Sequence, residues 1–355
     1  MNEQEVNRQM LILARDSRGL TQQELAEALG VNQSFICKIE SGQLAVSTEY
    51  LEKIARILRY PIGFFYQTDK VRGVGSACNY HRKRESLSRR DWYKITARLN
   101  ILRLHTSKLL NGVKMEHENR FHYLDSDDIG SPERAAKLIR RHWRMPDGPV
   151  GNLIGEIENA GGVVVVVPFG TDKLDAISQA EQGVPPLFLV NSEIPGDRLR
   201  FTLAHEVGHI VMHSITPSDD PERDADRFAA EFLMPEQDIA DDLESITIKK
   251  AASVLKPYWK VAISALIRRA RDLKIIDSDK YVQFCKQLSY YGYRKHEPVD
   301  IPLETPTVLK DMIGIYLSDY NYGAAELGNL LLLHSDEVTE EYIPPEYPLL
   351  KMRVV

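Results

Sequence analysis

The apolar residues of the first third of the chain recur at three- and four-residue intervals, which predicts short amphipathic helices. Thr21 and Glu24 have the spacing of a capping box and open the second of these helices. Gly30 then turns the chain toward the third helix. The predicted helices cover about 6–18, 22–29, 33–40, 48–58 and 62–66. Two short helices joined by a glycine-containing turn make a helix-turn-helix unit, so we expect one here.

The middle of the chain alternates between helical and strand-like patterns. VVVVVPFG at 163–170 and PLFLVN at 186–191 are short apolar runs that predict buried strands, and a short strand is expected at 176–178. LRFTLAHEVGHIVMH at 199–213 has the apolar spacing of a mostly buried helix. After residue 235 the pattern is again mostly helical, and we identify no internal repeat in the sequence.

Composition narrows the class of protein. The 355 residues suffice for two or three domains, and 43% hydrophobic with 27% charged residues is usual for a globular protein. No apolar run reaches membrane-spanning length, and the polar N-terminal residues do not predict a signal peptide. The three cysteines are widely spaced and form no disulfide framework or paired zinc motif. We therefore expect a cytoplasmic protein without a membrane partner.

Charge is distributed unevenly although the net charge is −6. Residues 69–105 hold 10 Lys and Arg against 3 Asp and Glu, including YHRKR at 80–84. A basic linker beside a helix-turn-helix can add contacts to DNA phosphates. The alternative is that these charges are the solvated face of a long helix that begins near Ser88.

The helix predicted over 199–213 carries the candidate chemistry. His205 and His209 stand four residues apart, so they project from the same face of a helix. Two neutral imidazoles at this spacing can hold Zn²⁺, and Glu206 between them can reach a water activated by the metal. The alternative is a buried helix with two hydrogen-bonded histidines. Gly208 leaves room for a close approach of another backbone or of a substrate.

A catalytic zinc site needs a third protein ligand. Glu222 opens the next predicted helix, and Asp226 follows four residues later on the same face. This spacing favours Glu222 as the ligand and Asp226 as the acceptor for the N–H group of a ligand histidine. Asp224, Glu231 and His213 also compete for the third position. Acidic residues at a helix N-terminus are also explained by the helix dipole alone.

RFTLAHEVGHIVMH followed by ExxADxFAAEFLMP resembles the IrrE/ImmA family of zinc metallopeptidases. This resemblance implies that His205, His209 and Glu222 are zinc ligands and that Glu206 is the general base. Many relatives have Asn where this chain has Asp226. Because either side chain accepts a hydrogen bond, the departure leaves the zinc assignment in place.

LTQQELAEALGVNQSFICKIESG resembles the XRE, or phage-repressor-like, DNA-binding family. The resemblance implies that the third helix enters the major groove, with Gln33, Ser34 and Lys38 facing the DNA. Gln33 has the chemistry to pair with adenine, and Gln22 is expected to contact phosphate and support Gln33. The alternative is a helical bundle used only for protein contacts.

We therefore predict a multidomain protein that is mainly α with a small sheet. The expected parts are an all-α helix-turn-helix domain (1–68), a basic linker with a long helix (69–130), an α+β zincin-like metallopeptidase core (131–250) and a mostly helical C-terminal region (251–355). The expected partners are a palindromic operator bound by a homodimer, and a protein substrate.

The function implied by the two resemblances is a DNA-binding transcriptional regulator fused to a zinc-dependent endopeptidase that cleaves a repressor or similar regulatory protein. One alternative is a regulator or antitoxin-like protein whose metallopeptidase fold senses metal, ligand or partner without cleavage. Another is a chain that cuts itself in the basic linker.

Overall fold

The computed structural model of the protein describes residues 5–72, 87–115, 117–125, 129–181, 183–214 and 218–343. Helices dominate these residues, and one small sheet lies in the second half, as the sequence predicted. The described residues divide into two compact units. The first unit contains the residues up to 72, those of 87–115 and those from 308 onward, and the second contains the remainder up to 307.

The first unit consists of helices. They are α1 (Arg8–Ser17), α2 (Gln22–Leu29), α3 (Gln33–Ser41), α4 (Thr48–Leu58), a 3₁₀ turn (Ile62–Tyr66), α5 (Arg89–Leu110), α13 (Val308–Ser318), α14 (Ala324–Leu331) and α15 (Ser335–Tyr342). Polar side chains cap the first five helices by accepting a backbone N–H, which explains why the predicted boundaries agree closely with the structure. These caps are Asn7, Thr21, Asn32, Ser47 and Ser88.

An ionic cluster fixes the arrangement of the first three helices. The guanidinium of Arg15 donates to both carboxylate oxygens of Glu40, at 2.6 and 3.1 Å. The side-chain amide of Gln22 donates to the same carboxylate at 2.8 Å. Leu25 of α2 and Ile36 of α3 are fully buried, so both apolar burial and polar contacts stabilise this pair of helices.

The last described helices pack in the same unit as the helix-turn-helix. Glu337 of α15 accepts an ion-paired hydrogen bond from Arg18 at 2.7 Å. The hydroxyl of Tyr342 lies 2.6 Å from Nδ1 of His105, in the buried part of α5. The two units therefore cut across the four segments expected from the sequence, whose boundaries remain a prediction.

Helices α14 and α15 repeat the local geometry of α2 and α3. Glu24 accepts the N–H of the residue before α2, and Glu326 accepts that of the residue before α14. Gly30 follows α2 with a φ of 69°, and Leu332 follows α14 with a φ of 58°. The α15 helix, SDEVTEEY, is acidic, so phosphate repulsion disfavours DNA binding through it.

The second unit combines helices with the sheet. Its elements are α6 (Pro132–His142), α7 (Leu153–Asn159), β1 (Val163–Val167), β2 (Ala176–Glu181), β3 (Val184–Asn191), α8 (Gly196–His213), α9 (Pro221–Leu233), α10 (Glu236–Glu244), a helical run with a π segment at Ala251–Leu255, α11 (Ile263–Asp272) and α12 (Ser278–Tyr290).

The sheet has the order β1-β3-β2 among the described residues. Strand β1 pairs with β3 in parallel, and β2 pairs with β3 antiparallel, so β2 is an edge strand. Phe188 and Val190 of β3 are fully buried and belong to the same apolar cluster as Leu203 and Val207 of α8. The sheet therefore forms one wall behind α8.

Helix α8 is buried along nearly all of its length, and α9 packs closely against it. Gly208 makes this approach possible, because a Cβ atom at that position would lie 3.0 Å from the ring of Phe228 on α9. The close approach expected at Gly208 is therefore that of a neighbouring helix. This close packing brings the first turn of α9 beside the face of α8 that carries His205 and His209.

None of the helices in the described residues has both the length and the hydrophobicity of a transmembrane span. The basic cluster expected at 80–84 lies outside the described residues. Arg89 and Arg90, which belong to the same basic segment, are exposed in the first turn of α5.

Candidate metal centre and nucleic-acid interface

Three side chains from α8 and α9 converge in the second unit. Nε2 of His205 and Nε2 of His209 are 3.0 Å apart. The carboxylate of Glu222 lies 3.2 Å from Nε2 of His209 and 3.6 Å from Nε2 of His205. The histidines are buried, and the Glu222 side chain is 34% exposed, so the cluster reaches solvent on the side of α9.

The spacing of these donors fits a tetrahedral zinc ion. Zinc–nitrogen and zinc–oxygen bonds of about 2.0–2.1 Å in a tetrahedron place the ligand atoms about 3.3 Å from one another. The three observed separations lie on both sides of this value. Among the described residues, His205, His209 and Glu222 are the group of metal-binding side chains that meets in this way.

The opposite ring nitrogens of both histidines are also engaged. Nδ1 of His205 lies 3.0 Å from Oδ1 of Asp226, and the other carboxylate oxygen of Asp226, Oδ2, lies 3.6 Å from the guanidinium of Arg268. Nδ1 of His209 lies 2.9 Å from Nδ1 of His213. When Nδ1–H donates in each contact, the Nε2 lone pair of each ligand candidate faces the cluster.

His213 is thus a neighbour of His209 and not a member of the three-residue cluster. Burial lowers the pKa of His213 to about 4, and the adjacent His209 contributes in the same direction. A neutral His213 ring can accept the hydrogen bond from His209.

Asp224 and Glu231 are both engaged outside the three-residue cluster. Asp224 accepts a hydrogen bond of 2.5 Å from the hydroxyl of Ser218. Glu231 is almost completely buried and forms an ion pair with Arg269. Of the four acidic or histidine residues that the sequence offers as a third ligand, the geometry favours Glu222.

Glu206 lies one residue from His205 but points to a different neighbour. Its carboxylate is fully buried, and Oε2 accepts a hydrogen bond of 2.6 Å from Oγ of Ser178 on β2. Sequence reasoning did not identify Ser178. A single serine in a short strand carries no local signal, and only the packing of β2 against α8 shows its role as a contact of Glu206.

The residues expected to face DNA are on the surface of the first unit. Gln33, Ser34 and Lys38 are all exposed on α3, whereas Ile36 on the same helix is fully buried. The Ser34 hydroxyl donates to the side chain of Asn32 at 2.6 Å, which orients it at the start of the helix. These positions leave α3 with one face in the core and one face toward solvent.

The expected contact of Gln22 with phosphate and its support of Gln33 remain predictions. The amide of Gln22 donates to Glu40, and the two glutamines line the same cavity beside α5. Gln22 is therefore oriented by the ionic cluster of the helix-turn-helix.

Comparison with known families agrees with this division of the molecule. A helix-turn-helix model matches residues 11–65, and the model of the IrrE N-terminal-like domain, a peptidase M78 family, matches residues 157–271. The chain thus carries an XRE-type helix-turn-helix followed by a metallopeptidase-like domain of the IrrE kind.

Two curated proteins are similar to part of this chain. They are uncharacterized HTH-type transcriptional regulators of Sinorhizobium medicae (strain WSM419) and Rhizobium meliloti (strain 1021). Each is 34% identical over 64 residues, which cover 18% of this chain and 46% of the relative. The chain spans about half the length of the curated relatives it matches.

Proposed function

We propose that this protein is a DNA-binding transcriptional regulator whose metallopeptidase-like domain is a zinc endopeptidase that cleaves a repressor or similar regulatory protein. The observation that carries this proposal is the convergence of His205, His209 and Glu222, with Glu206 beside them in the same buried helix. A structural histidine pair would not require this acidic neighbour or the third donor from α9.

In this proposal His205, His209 and Glu222 hold the zinc ion, and Asp226 orients the ring of His205. Zinc at such a site supplies Lewis-acid activation of water and of the scissile carbonyl. Glu206 accepts a proton from the attacking water and delivers it to the leaving amine. The hydrogen bond from Ser178 holds the Glu206 carboxylate in a fixed position for both transfers.

We place the scissile peptide along β2. This strand lies at an edge of the described sheet, and Ser178 brings it next to Glu206. An extended segment of the substrate can add to a sheet edge through main-chain hydrogen bonds. Recognition by main-chain contacts suits cleavage within an unfolded or exposed loop of a partner protein.

The DNA-binding part of the proposal rests on α3. Gln33, Ser34 and Lys38 would face base edges and phosphates in the major groove, and Gln22 would contact the backbone at the start of α2. We expect a homodimer on a roughly palindromic operator. Gln33→Ala should reduce the preference for the cognate base by about 1–3 kcal/mol, measured by competition between operator variants.

The decisive experiment for catalysis is Glu206→Gln. The variant should retain zinc and its fold, because Glu206 is not a ligand in this proposal. Its cleavage rate should fall by about 10²–10⁴-fold, because proton transfer is lost. Wild type and variant are expressed with candidate repressors and without a partner, and protein fragments are compared with output from a reporter gene.

Each outcome distinguishes the functions considered. Loss of both fragments and derepression in Glu206→Gln supports the endopeptidase. If the Glu206→Gln protein still binds zinc and gives an unchanged regulatory response, the endopeptidase function is wrong and the domain is a sensor that does not cleave. A wild-type fragment cut between residues 69 and 90, formed without a partner, would identify the chain as its own substrate.

A further inference from the structure

A cavity of about 350 Å³ lies in the first unit, between the helix-turn-helix and the start of α5. Gln22 and Gln33 line it from the helix-turn-helix, and Arg89, Arg90 and Tyr93 line it from α5. Gln22 and Gln33, which are proposed to face DNA, therefore share a concave surface with α5, a helix that begins more than 50 residues later in the sequence.

The first two turns of α5 are basic on this side. Arg89, Arg90 and Lys94 are exposed, and Tyr93 is 46% exposed between them. Asp91 is the acidic residue in the same turns, and its carboxylate accepts a hydrogen bond of 2.6 Å from the hydroxyl of the cap residue Ser88. The side chains that reach solvent here consequently present positive charge and hydrogen-bond donors.

Close packing positions this surface beside α2. Gly19 has a φ of 66°, and a Cβ atom at that position would lie 3.4 Å from the side chain of Lys94. Arg90 forms an exposed ion pair of 3.2 Å with Glu24, which is weak because water and salt screen it. A phosphate group can therefore replace Glu24 as the partner of Arg90 at low cost.

We propose that the first two turns of α5 are a phosphate-binding extension of the DNA interface. Arg89 and Arg90 contact the backbone that flanks the bases facing α3, and Lys94 adds positive charge behind them. This inference rests on the proposed DNA binding by the helix-turn-helix. The extension would enlarge the contact area on DNA without adding base contacts, because a guanidinium bound to a phosphate does not distinguish one base sequence from another.

The test uses the full chain and two duplexes: one enriched from random DNA by the wild type, and one of unrelated sequence. The variant is Arg89→Ala with Arg90→Ala. The charge-matched control is Lys53→Ala with Arg56→Ala on α4, where Lys53 pairs with Glu49 and neither residue lines the cavity. Dissociation constants are measured over a series of salt concentrations, and thermal unfolding confirms the fold of each variant.

The Arg89 and Arg90 variant should bind both duplexes about tenfold more weakly, and the slope of log K against log salt should become shallower by roughly two, at about 0.9 per phosphate contact. The ratio of affinities between the two duplexes should stay the same. Replacing both arginines by lysine should restore most of the slope, because charge is retained.

The two proposals fail in different ways. If the arginine variant and the α4 control have the same affinities and slopes while the wild type binds DNA, the α5 extension is wrong and the helix-turn-helix interface stands. If the wild type enriches no sequence from random DNA and does not bind the duplex of unrelated sequence, both proposals are wrong. Gln33→Ala serves as the opposite control, since it should change the affinity ratio and leave the salt slope unchanged.

Discussion

The hydroxyl of Ser178 donates a hydrogen bond of 2.6 Å to Oε2 of Glu206. The two residues lie on different elements, the edge strand β2 and the buried helix α8. Glu206 itself is fully buried, so its carboxylate depends on protein groups for its hydrogen bonds and its orientation. The position of the proposed general base is therefore coupled to the position of the strand proposed to bind substrate.

Ser178→Ala should lower kcat by about 10–100-fold, because a hydrogen bond to a charged group contributes about 1.5–3 kcal/mol. The zinc content should not change, since Ser178 is not a zinc ligand in the proposal. Steady-state cleavage kinetics combined with metal analysis test this expectation. Ser178→Thr, which keeps the hydroxyl, should recover most of the rate; a similar loss in both variants would indicate a packing role only.

The metal site gives a second prediction. The purified protein should contain about one Zn²⁺ per chain, and His205→Ala or Glu222→Ala should lose it. Asp224→Ala is the matched control, because Asp224 lies on the same helix turn but is bound by Ser218. Metal analysis after dialysis provides the measurement. Full occupancy in Glu222→Ala would move the third-ligand assignment to Asp224 or His213.

Gly208→Ala tests the contact between α8 and α9. The added Cβ would lie 3.0 Å from the buried Phe228 ring, and overpacking of this kind costs about 1–3 kcal/mol. The better helix propensity of alanine offsets about 1 kcal/mol, so we expect a net loss of stability and weaker zinc binding. Denaturant unfolding and zinc competition measure the two effects.

The contact with Phe228 can be separated from a general effect of the substitution. Gly208→Ala combined with Phe228→Leu should recover part of the zinc affinity, because the smaller side chain admits the methyl group. Gly151→Ala, where the Cβ would meet open space, should leave zinc affinity unchanged. Equal zinc affinity in Gly208→Ala and the wild type would show that the helix spacing does not control the site.

The burial of His105 leads to a prediction of how the stability of the first unit changes with pH. Complete burial lowers its pKa to about 3, and nearby Lys108 contributes in the same direction. Because the unfolded chain takes up this proton below about pH 6.5 and the folded chain does not, stability should fall by about 1.4 kcal/mol per pH unit between roughly pH 6 and 4. Amide hydrogen exchange in α5, compared at each pH, measures the change.

His105→Asn should remove this contribution to the pH slope while it retains a polar atom near Tyr342. His334→Gln is the control, because His334 is exposed in the same unit. An unchanged slope in His105→Asn would assign the acid sensitivity to the carboxylates of the unit.

Local patterns predicted most of the helices and the composition of the candidate site. The capping box of Thr21 and Glu24 predicted where α2 begins, and the spacing of His205 and His209 predicted that both side chains lie on one face of α8. Strand β2 runs from Ala176 to Glu181, beyond the predicted 176–178, because pairing with β3 extends it. Such pairing depends on a partner that the local sequence does not contain.

The arrangement of the last helices could not be predicted for the same reason. The ion pair of Arg59 with Asp336 joins residues far apart in the chain, and neither is unusual in its own segment. The similarity of α14–α15 to α2–α3 could not be predicted from the sequence either. The residue with left-handed backbone after α2 is Gly30, but after α14 it is Leu332, which gives no sequence signal for this conformation. The two pairs of helices therefore share a backbone conformation, but only the first pair has a glycine at the turn.

The first unit is assembled from segments that a ribosome produces at very different times. Helices α1–α5 are complete once residue 110 is made, but α15 ends only at residue 342. At about 5–20 residues per second, the intervening synthesis takes roughly 10–50 s. Throughout that interval Arg18 and Arg59 lack the acidic helix with which they finally pair. A nascent chain thus exposes its helix-turn-helix long before that unit reaches its final packing, and chaperones or early DNA encounters can act in this period.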